Sequence, residues 1–352
     1  MKILIIGPAW VGDMVLAQSL YKLLKRREPT PQLDVLAPAW TAPLLAHMPE
    51  VDRAVALPFR HGALMMSERI RIGRRLRAEG YDQAIVLPRS LKAAIVPFVA
   101  RVPRRTGFRG EWRYGLLNDI RPLDPAKLPR MVDRYVVLGV APGEQPPAEL
   151  PLPRLVVRPP DVDAALARLG IPRPAQPVLG LCPGAEYGPA KRWPVEYFAE
   201  IARKHLTRGG QVWLYGSERD APVTAEINRL TDRACLDLAG RTTLGEAIDL
   251  LSLAAAVVSN DSGLMHVAAA LDRPLVGIYG SSTPAYTPPL GARAQVTYLG
   301  LSCSPCFERE CPLGHLRCLY DIAPAHVAAA LREVWDETAP PTQAPAGQDL
   351  RR

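Results

Sequence analysis

Several common signatures are missing from this 352-residue chain. No apolar run reaches the ~20 residues that a membrane-spanning helix needs. The G-x-G-x-x-G dinucleotide fingerprint is absent after the first apolar segment, which argues against NAD or FAD there. The G-x-x-x-x-G-K-[ST] phosphate loop is absent as well. There is no internal repeat, no recognised nucleic-acid motif and no aromatic-interleaved basic run, so a nucleic-acid partner is not expected. Met1-Lys2 passes straight into Ile3-Leu4-Ile5-Ile6, and Gly7-Pro8 stops that run too early for a signal-peptide core. A cytoplasmic chain with six reduced cysteines is the expectation.

What is present suits two domains. Hydrophobic residues make up 48% of the chain, ample for two cores. A net charge of +8 favours anionic partners, whether phosphorylated substrates or an anionic membrane surface.

Apolar segments alternate with amphipathic ones along the whole length, the pattern of doubly wound α/β architecture. Strands are predicted at Lys2–Ile6, Leu33–Leu36, Ala54–Leu57 and Gln83–Leu87, with helices between them. A second series runs Val178–Cys182, Gln211–Tyr215, Cys235–Leu238, Ala254–Val258 and Leu275–Tyr279. Ten prolines fall between Pro142 and Pro177 and place the linker there. The expected organisation is a Rossmann-like domain over 1–160, a second over 161–338, and a disordered Pro-rich tail over 339–352. A cleft facing the carboxyl ends of both sheets would take a donor on one half and an acceptor on the other.

Four polar turns follow predicted strands. Ser259-Asn260-Asp261-Ser262-Gly263-Leu264-Met265-His266 opens an Ala-rich helix, whose unpaired amides and dipole favour an anion. Asp261 beside an anion would repel it, so the carboxylate is better placed to accept from sugar hydroxyls. Asp261 or Ser262 as a plain helix cap is the competing reading, and His266 one turn on could be an ordinary helix-face histidine. Gly7-x-x-x-x-Gly12-Asp13 delivers a carboxylate to the mouth of the first sheet, either as a general base or as a cap. The Gly/Pro-rich loop Pro183–Pro194 ends in Lys191-Arg192-Trp193-Pro194. A lysine about 4 Å from a diphosphate is worth about 4 kcal/mol at an effective dielectric of ~20, before desolvation. A solvated surface pair is the alternative. Gly216-Ser217-Glu218-Arg219-Asp220 brings Asp220 to the same rim, as a ribose-hydroxyl acceptor or a cap.

Two further groups stand out. Cys303, Cys306, Cys311 and Cys318 fall within sixteen residues, a possible structural zinc set with His315 as a rival ligand. Reduced, partly buried thiols are the plainer reading. Arg60, Arg69, Arg89, Lys92, Arg104, Arg105, Arg109 and Arg113 crowd the first half. Arg89, Lys92, Arg105, Arg109 and Arg113 are the acceptor-binding candidates, for a phosphorylated acceptor or lipid head groups.

Taken together, these motifs resemble the ADP-heptose:lipopolysaccharide heptosyltransferases of glycosyltransferase family 9 over nearly the whole chain. The resemblance rests on Trp10-Val11-Gly12-Asp13-Met14, Ala37-Pro38-Ala39-Trp40, His61-Gly62-Ala63-Leu64 and Arg113–Asp119. It continues through Cys182–Glu186, Gly188–Pro194 and Asn260–Ala270. It implies a GT-B fold and inverting transfer of L-glycero-D-manno-heptose from ADP-heptose to the first heptose of the Kdo–lipid A inner core, without a required cofactor. It also implies peripheral contact with the cytoplasmic face of the inner membrane. By resemblance Asp13 is the catalytic base, Lys191 meets the donor phosphates, and Asp220 binds ribose. Gly12, Asp261, Ser262, Gly263 and His266 complete the donor site. The four-cysteine segment has no counterpart common to the whole family. A heptosyltransferase acting at another core position remains open, as do an NAD-dependent oxidoreductase and a non-catalytic basic protein.

Overall fold

The structure, a computed structural model, describes residues 1–58 and 63–335. The expected tail, Arg60 and His61-Gly62 lie outside the described residues. The chain divides into two compact units, Met1–Val156 with Ala285–Leu290, and Val157–Pro284 with the residues from Gly291 onward. The six residues 285–290 thus leave the second half of the sequence to pack with the first unit.

The first unit contains β1 (Lys2–Ile6), α1 (Val11–Lys25), β2 (Gln32–Pro38), α2 (Ala42–Leu45), β3 (Arg53–Leu57) and α3 (Met66–Leu76). It continues with β4 (Gln83–Val86), α4 (Leu91–Val99), β5 (Arg104–Phe108), β6 (Asp119–Arg121) and α5 (Met131–Val136). Its strands form one parallel sheet in the order β3-β2-β1-β4-β5-β6. Ile3, Leu4 and Ile5 are fully buried, as a continuous apolar run must be when helices cover both faces of a parallel sheet.

The second unit contains α6 (Pro159–Leu169), β7 (Val178–Cys182), α7 (Val195–Leu206), β8 (Gln211–Leu214), α8 (Ala221–Leu230) and β9 (Leu236–Asp237). It ends with α9 (Leu244–Leu251), β10 (Ala256–Asn260), α10 (Gly263–Ala270), β11 (Leu275–Ile278), β12 (Ala294–Thr297), α11 (Arg317–Tyr320) and α12 (Pro324–Val334). Its parallel sheet runs β12-β11-β10-β7-β8-β9. Thr243 and Glu246 make the reciprocal capping box that their spacing predicts at the start of α9. Among the described residues, no helix is long and apolar enough to cross a membrane.

In each sheet the order reverses once, between β1 and β4 in the first and between β7 and β10 in the second. Loops leaving two such strands diverge and open a crevice at their carboxyl ends. The strands that sequence patterning misses are β5, β6 and β12. Only the last three residues of β5 are buried, and no residue of β6 or β12 is. None of them carries the unbroken apolar run of a central strand.

Ile5→Ala removes volume at a site with no exposure and is expected to cost about 2–5 kcal/mol. An unchanged urea unfolding midpoint would show that β1 does not centre this core.

Candidate active site

In the first unit, the crevice at the reversal is a cavity of about 400 Å³. Helix α1 starts at Val11 with Trp10 at its N-cap, so Asp13 lies in the first turn, where the dipole favours a carboxylate. Asp13 lines the cavity with Trp10 and Trp40, and Arg89, Lys92 and Arg134 bring positive charge to the same wall. Tyr135 and Tyr286 line it too. Burial holds the Tyr135 phenol well above its usual value, and the Asp13 charge adds to the shift. That hydroxyl therefore stays protonated and remains a donor. Arg134 donates to the Tyr286 hydroxyl at 3.2 Å and stacks over its ring at 4.8 Å.

Of the five cations expected to bind an acceptor, Arg89 and Lys92 line this cavity and three do not. Arg113 is 1% exposed and donates to the carbonyls of Phe108, Pro88 and Ser90. It braces the loop that presents Arg89 rather than meeting a ligand itself. Arg105 donates to the Leu116 and Val102 carbonyls and lies over the Phe98 ring. Arg109 is exposed outside the cavity.

In the second unit, the loops after β7 and β10 meet. Lys191 Nζ lies 2.5 Å from Asp261 Oδ2, with the two side chains 17% and 4% exposed. The Ser282 hydroxyl donates to the same oxygen. Asp261 thus faces an ammonium as well as a hydroxyl, whereas neutral hydroxyls alone are expected from its position in the turn. The lysine cancels the repulsion that a carboxylate would otherwise exert on an anion. Asn260, fully buried, accepts from the Trp193 amide at 3.0 Å and donates to the Pro183 carbonyl at 2.6 Å. It ties both ends of the lysine loop to β10.

Around this pair stand buried polar atoms that make no hydrogen bond, namely His266 Nδ1, Ser281 Oγ, Arg192 Nε and Asp220 Oδ1. The capping reading of Asp220 is seen on one of its oxygens. Oδ2 accepts from the Ser217 amide and hydroxyl, while Oδ1 lies 3.9 Å from Arg192. Gly184 packs against it, and a Cβ there would fall 2.4 Å from the Asp220 carboxyl carbon, so any larger residue must displace that carboxylate. Ser262 is the N-cap of α10 but its side chain caps no amide, which leaves the helix start, with Gly263 first, open to an anion. Burial, opposed by the Asp261 charge and aided by Lys191, lowers the His266 imidazole to about 4. His266 is therefore neutral at physiological pH.

All four cysteines of the set lie in the second unit. Among the described residues, no three His, Cys, Asp or Glu side chains are placed to share a metal ion. Cys318 turns into the second core, where burial first and then Cys303, Cys306 and Cys311 push its thiol up to about 11. Cys311 accepts from the backbone amides of residues 313–316, which lower its thiol.

Sequence patterning finds Asp13, Lys191, Asp220 and Asp261 but misses Asn260, Ser282, Arg134 and Tyr286. Asn260 is assigned to a turn that proves to be the end of β10. Tyr286 lies 273 positions from Asp13, and nothing local links them.

Two doubly wound parallel domains, one with a carboxylate at its switch point and one with a polar turn opening a helix there, define a two-domain α/β transferase of the GT-B type. The model of glycosyltransferase family 9 (heptosyltransferase) matches residues 69–317, and the chain belongs to that family. It is 46% identical over 346 residues to lipopolysaccharide heptosyltransferase 2 of Salmonella typhimurium, covering 96% of this chain and 99% of the relative. It is likewise 46% identical over 340 residues to lipopolysaccharide heptosyltransferase 2 of Escherichia coli, covering 94% and 97%. The structure of E. coli ADP-heptose LPS heptosyltransferase II superposes with a TM-score of 0.85 at 43% identity, covering 95% of this chain and 98% of that one. A family 9 structure from Veillonella parvula, with a TM-score of 0.80 at 20% identity and 95% and 96% coverage, shares the fold. Membership in this family sets aside the oxidoreductase and non-catalytic readings.

An unfolded imidazole takes up its proton near pH 6.5, whereas His266 in the fold resists until about pH 4. The group therefore contributes stability above pH 6.5 that is lost as pH falls through this window, at most about 3 kcal/mol. His266→Gln is expected to flatten the pH dependence of unfolding free energy between pH 4 and 6.5. An unaltered slope would mean that the imidazole is solvated.

Proposed function

We propose that this chain is an inverting heptosyltransferase, moving L-glycero-D-manno-heptose from ADP-heptose onto the first heptose of the Kdo–lipid A inner core. The observation that carries the donor half is the set of buried polar atoms without a hydrogen bond near Lys191 and Asp261. A diphosphate flanked by ribose and a polyhydroxylated sugar offers a partner to each of them, since buried polar groups cost free energy until paired. Asp220 Oδ1 takes a ribose hydroxyl, Lys191 and the α10 amides take the diphosphate, and Asp261 takes hydroxyls of the heptose. The names of the relatives support the donor and the core position.

In the reaction, Asp13 accepts the proton of an acceptor hydroxyl as its oxygen attacks the anomeric carbon. The bond from that carbon to the diphosphate oxygen breaks on the opposite face, its electron pair departs with ADP, and the configuration inverts. Lys191 and the helix amides stabilise the growing phosphate charge without reorganising. In this reading the protein's own cations do that work, and transfer needs no metal. Trp10 and Trp40 offer flat apolar faces to the acceptor sugars, and Arg89 and Lys92 meet its acidic groups. A lipid-linked acceptor places the enzyme at the cytoplasmic face of the inner membrane.

ADP release from ADP-heptose, measured with heptosyl–Kdo–lipid A, with Kdo–lipid A and without acceptor, tests the reading. Release should require the heptosylated acceptor, fall on the order of 10²–10⁴-fold in Asp13→Asn with donor binding intact, and persist in chelator. Gly184→Ala, by displacing Asp220, should instead weaken ADP binding about tenfold or more, the loss of roughly one charge-assisted contact. Release driven only by Kdo–lipid A would move the enzyme to an earlier core position. Near-normal turnover in Asp13→Asn would remove Asp13 as the base.

A further inference from the structure

Beside the Asp13 cavity the first unit carries apolar side chains that its own core does not use. Trp112 is 86% exposed and Tyr114 60% exposed, both on the loop between β5 and β6. Leu64 and Met66, at the start of α3, are 50% and 42% exposed. Such large residues at such exposure are costly in water and mark a contact surface when they gather in one place.

They do gather, because the loops that carry them are bonded together. Buried Arg69 donates to the Leu64 carbonyl at 2.6 Å and to the Lys92 carbonyl at 3.1 Å. The Glu111 carboxylate accepts from the Leu91 amide at 2.9 Å. Arg113 donates to the Pro88 carbonyl at 2.6 Å, and Gly110 packs so closely on Arg89 that a Cβ would fall 2.3 Å from its carbonyl oxygen. Leu64 at the start of α3 and the loops after β4 and β5 therefore form one braced rim at the carboxyl edge of the sheet. Exposed Arg89 and Arg109 stand on that rim among the aromatics, while the one carboxylate in the loop, Glu111, is engaged by an amide.

We infer that this rim is the surface by which the first unit docks on an anionic lipid bilayer, with Trp112 and Tyr114 entering the head-group layer. Tryptophan and tyrosine suit that layer, since each joins an apolar body to a polar tip. Arginines beside them attract anionic head groups. The brace explains why exposed aromatics can sit on a loop without collapsing inwards: Arg113 holds its backbone, so Trp112 and Tyr114 on either side of it face outwards. Because Arg89 also lines the Asp13 cavity, docking here would bring a lipid-anchored acceptor to the cavity mouth. The inference rests on the proposed transfer to a lipid-linked acceptor, and names the surface that meets the membrane.

Flotation of the full chain with phosphatidylglycerol vesicles that hold no acceptor tests it. Wild type should float with these vesicles, less so at high salt, and hardly at all with phosphatidylcholine alone. Trp112→Ser/Tyr114→Ser should lose on the order of tenfold in vesicle partitioning, and Arg109→Gln a few-fold. The double variant should keep its ADP affinity and its turnover on a deacylated, water-soluble acceptor, while turnover on vesicle-borne acceptor falls. Equal partitioning of wild type and double variant would overturn the inference, as would no binding to acceptor-free anionic vesicles. A concentration-dependent dimer that disappears in the double variant, without vesicle binding, would assign the rim to a second copy of the chain instead. Vesicle binding that depends on Trp112 and Tyr114, in an enzyme that transfers nothing from ADP-heptose, would leave the surface standing and overturn the proposed reaction.

Discussion

In a sheet whose strands all run parallel, every strand hands its chain to a loop at the same edge. Where the strand order reverses, the two neighbouring loops must part. Each unit of this protein is built on that constraint, and each gathers its candidate site residues at that one place. Gly7–Asp13 and Leu87–Ser90 flank the reversal beside β1, and Pro183–Trp193 and Asp261–Gly263 flank the reversal beside β7. The apolar strands supply rigidity, and the loops supply the reactive side chains without disturbing the ladders.

The second site depends further on one charge balance. Lys191 and Asp261 are largely withdrawn from water, where neither would remain charged alone at low cost. Paired, they hold the two loops together through side chains that a phosphate and a sugar hydroxyl can engage. Burial keeps His266 neutral beside them, so it adds no second positive charge and can both donate and accept. Asp220 divides its two oxygens, one closing a capping box and one left buried beside Arg192. Such an arrangement fixes polar groups in place before any ligand arrives.

Arginine serves two ends in the first unit, and residue type does not tell them apart. Arg89 reaches the cavity, whereas Arg113 and Arg105 are spent on backbone carbonyls. A buried guanidinium with its donors filled by carbonyls is a clamp for irregular chain, which otherwise leaves polar atoms unpaired. The clamp lets the loops at the sheet edge be long and still hold their shape.

From the sequence alone came the alternation of strand and helix, the proline-rich division, the polar turns after the central strands, and the carboxylates and lysine that occupy them. These are local properties, set by hydrophobic period, by glycine and proline, and by the residue that follows a strand. Strands β5, β6 and β12 escaped because partial exposure removes the apolar run of a central strand. Tertiary structure decided what no window of sequence contains. It paired Lys191 with Asp261 across 70 residues, and brought Ser282 to the same carboxylate. It carried Tyr286 into the first unit and turned Arg113 inwards. It also buried Cys318 in a core and set the backbone amides of residues 313–316 on Cys311. Spacing limits which side chains can meet, but the path of the chain through the fold determines which of them do.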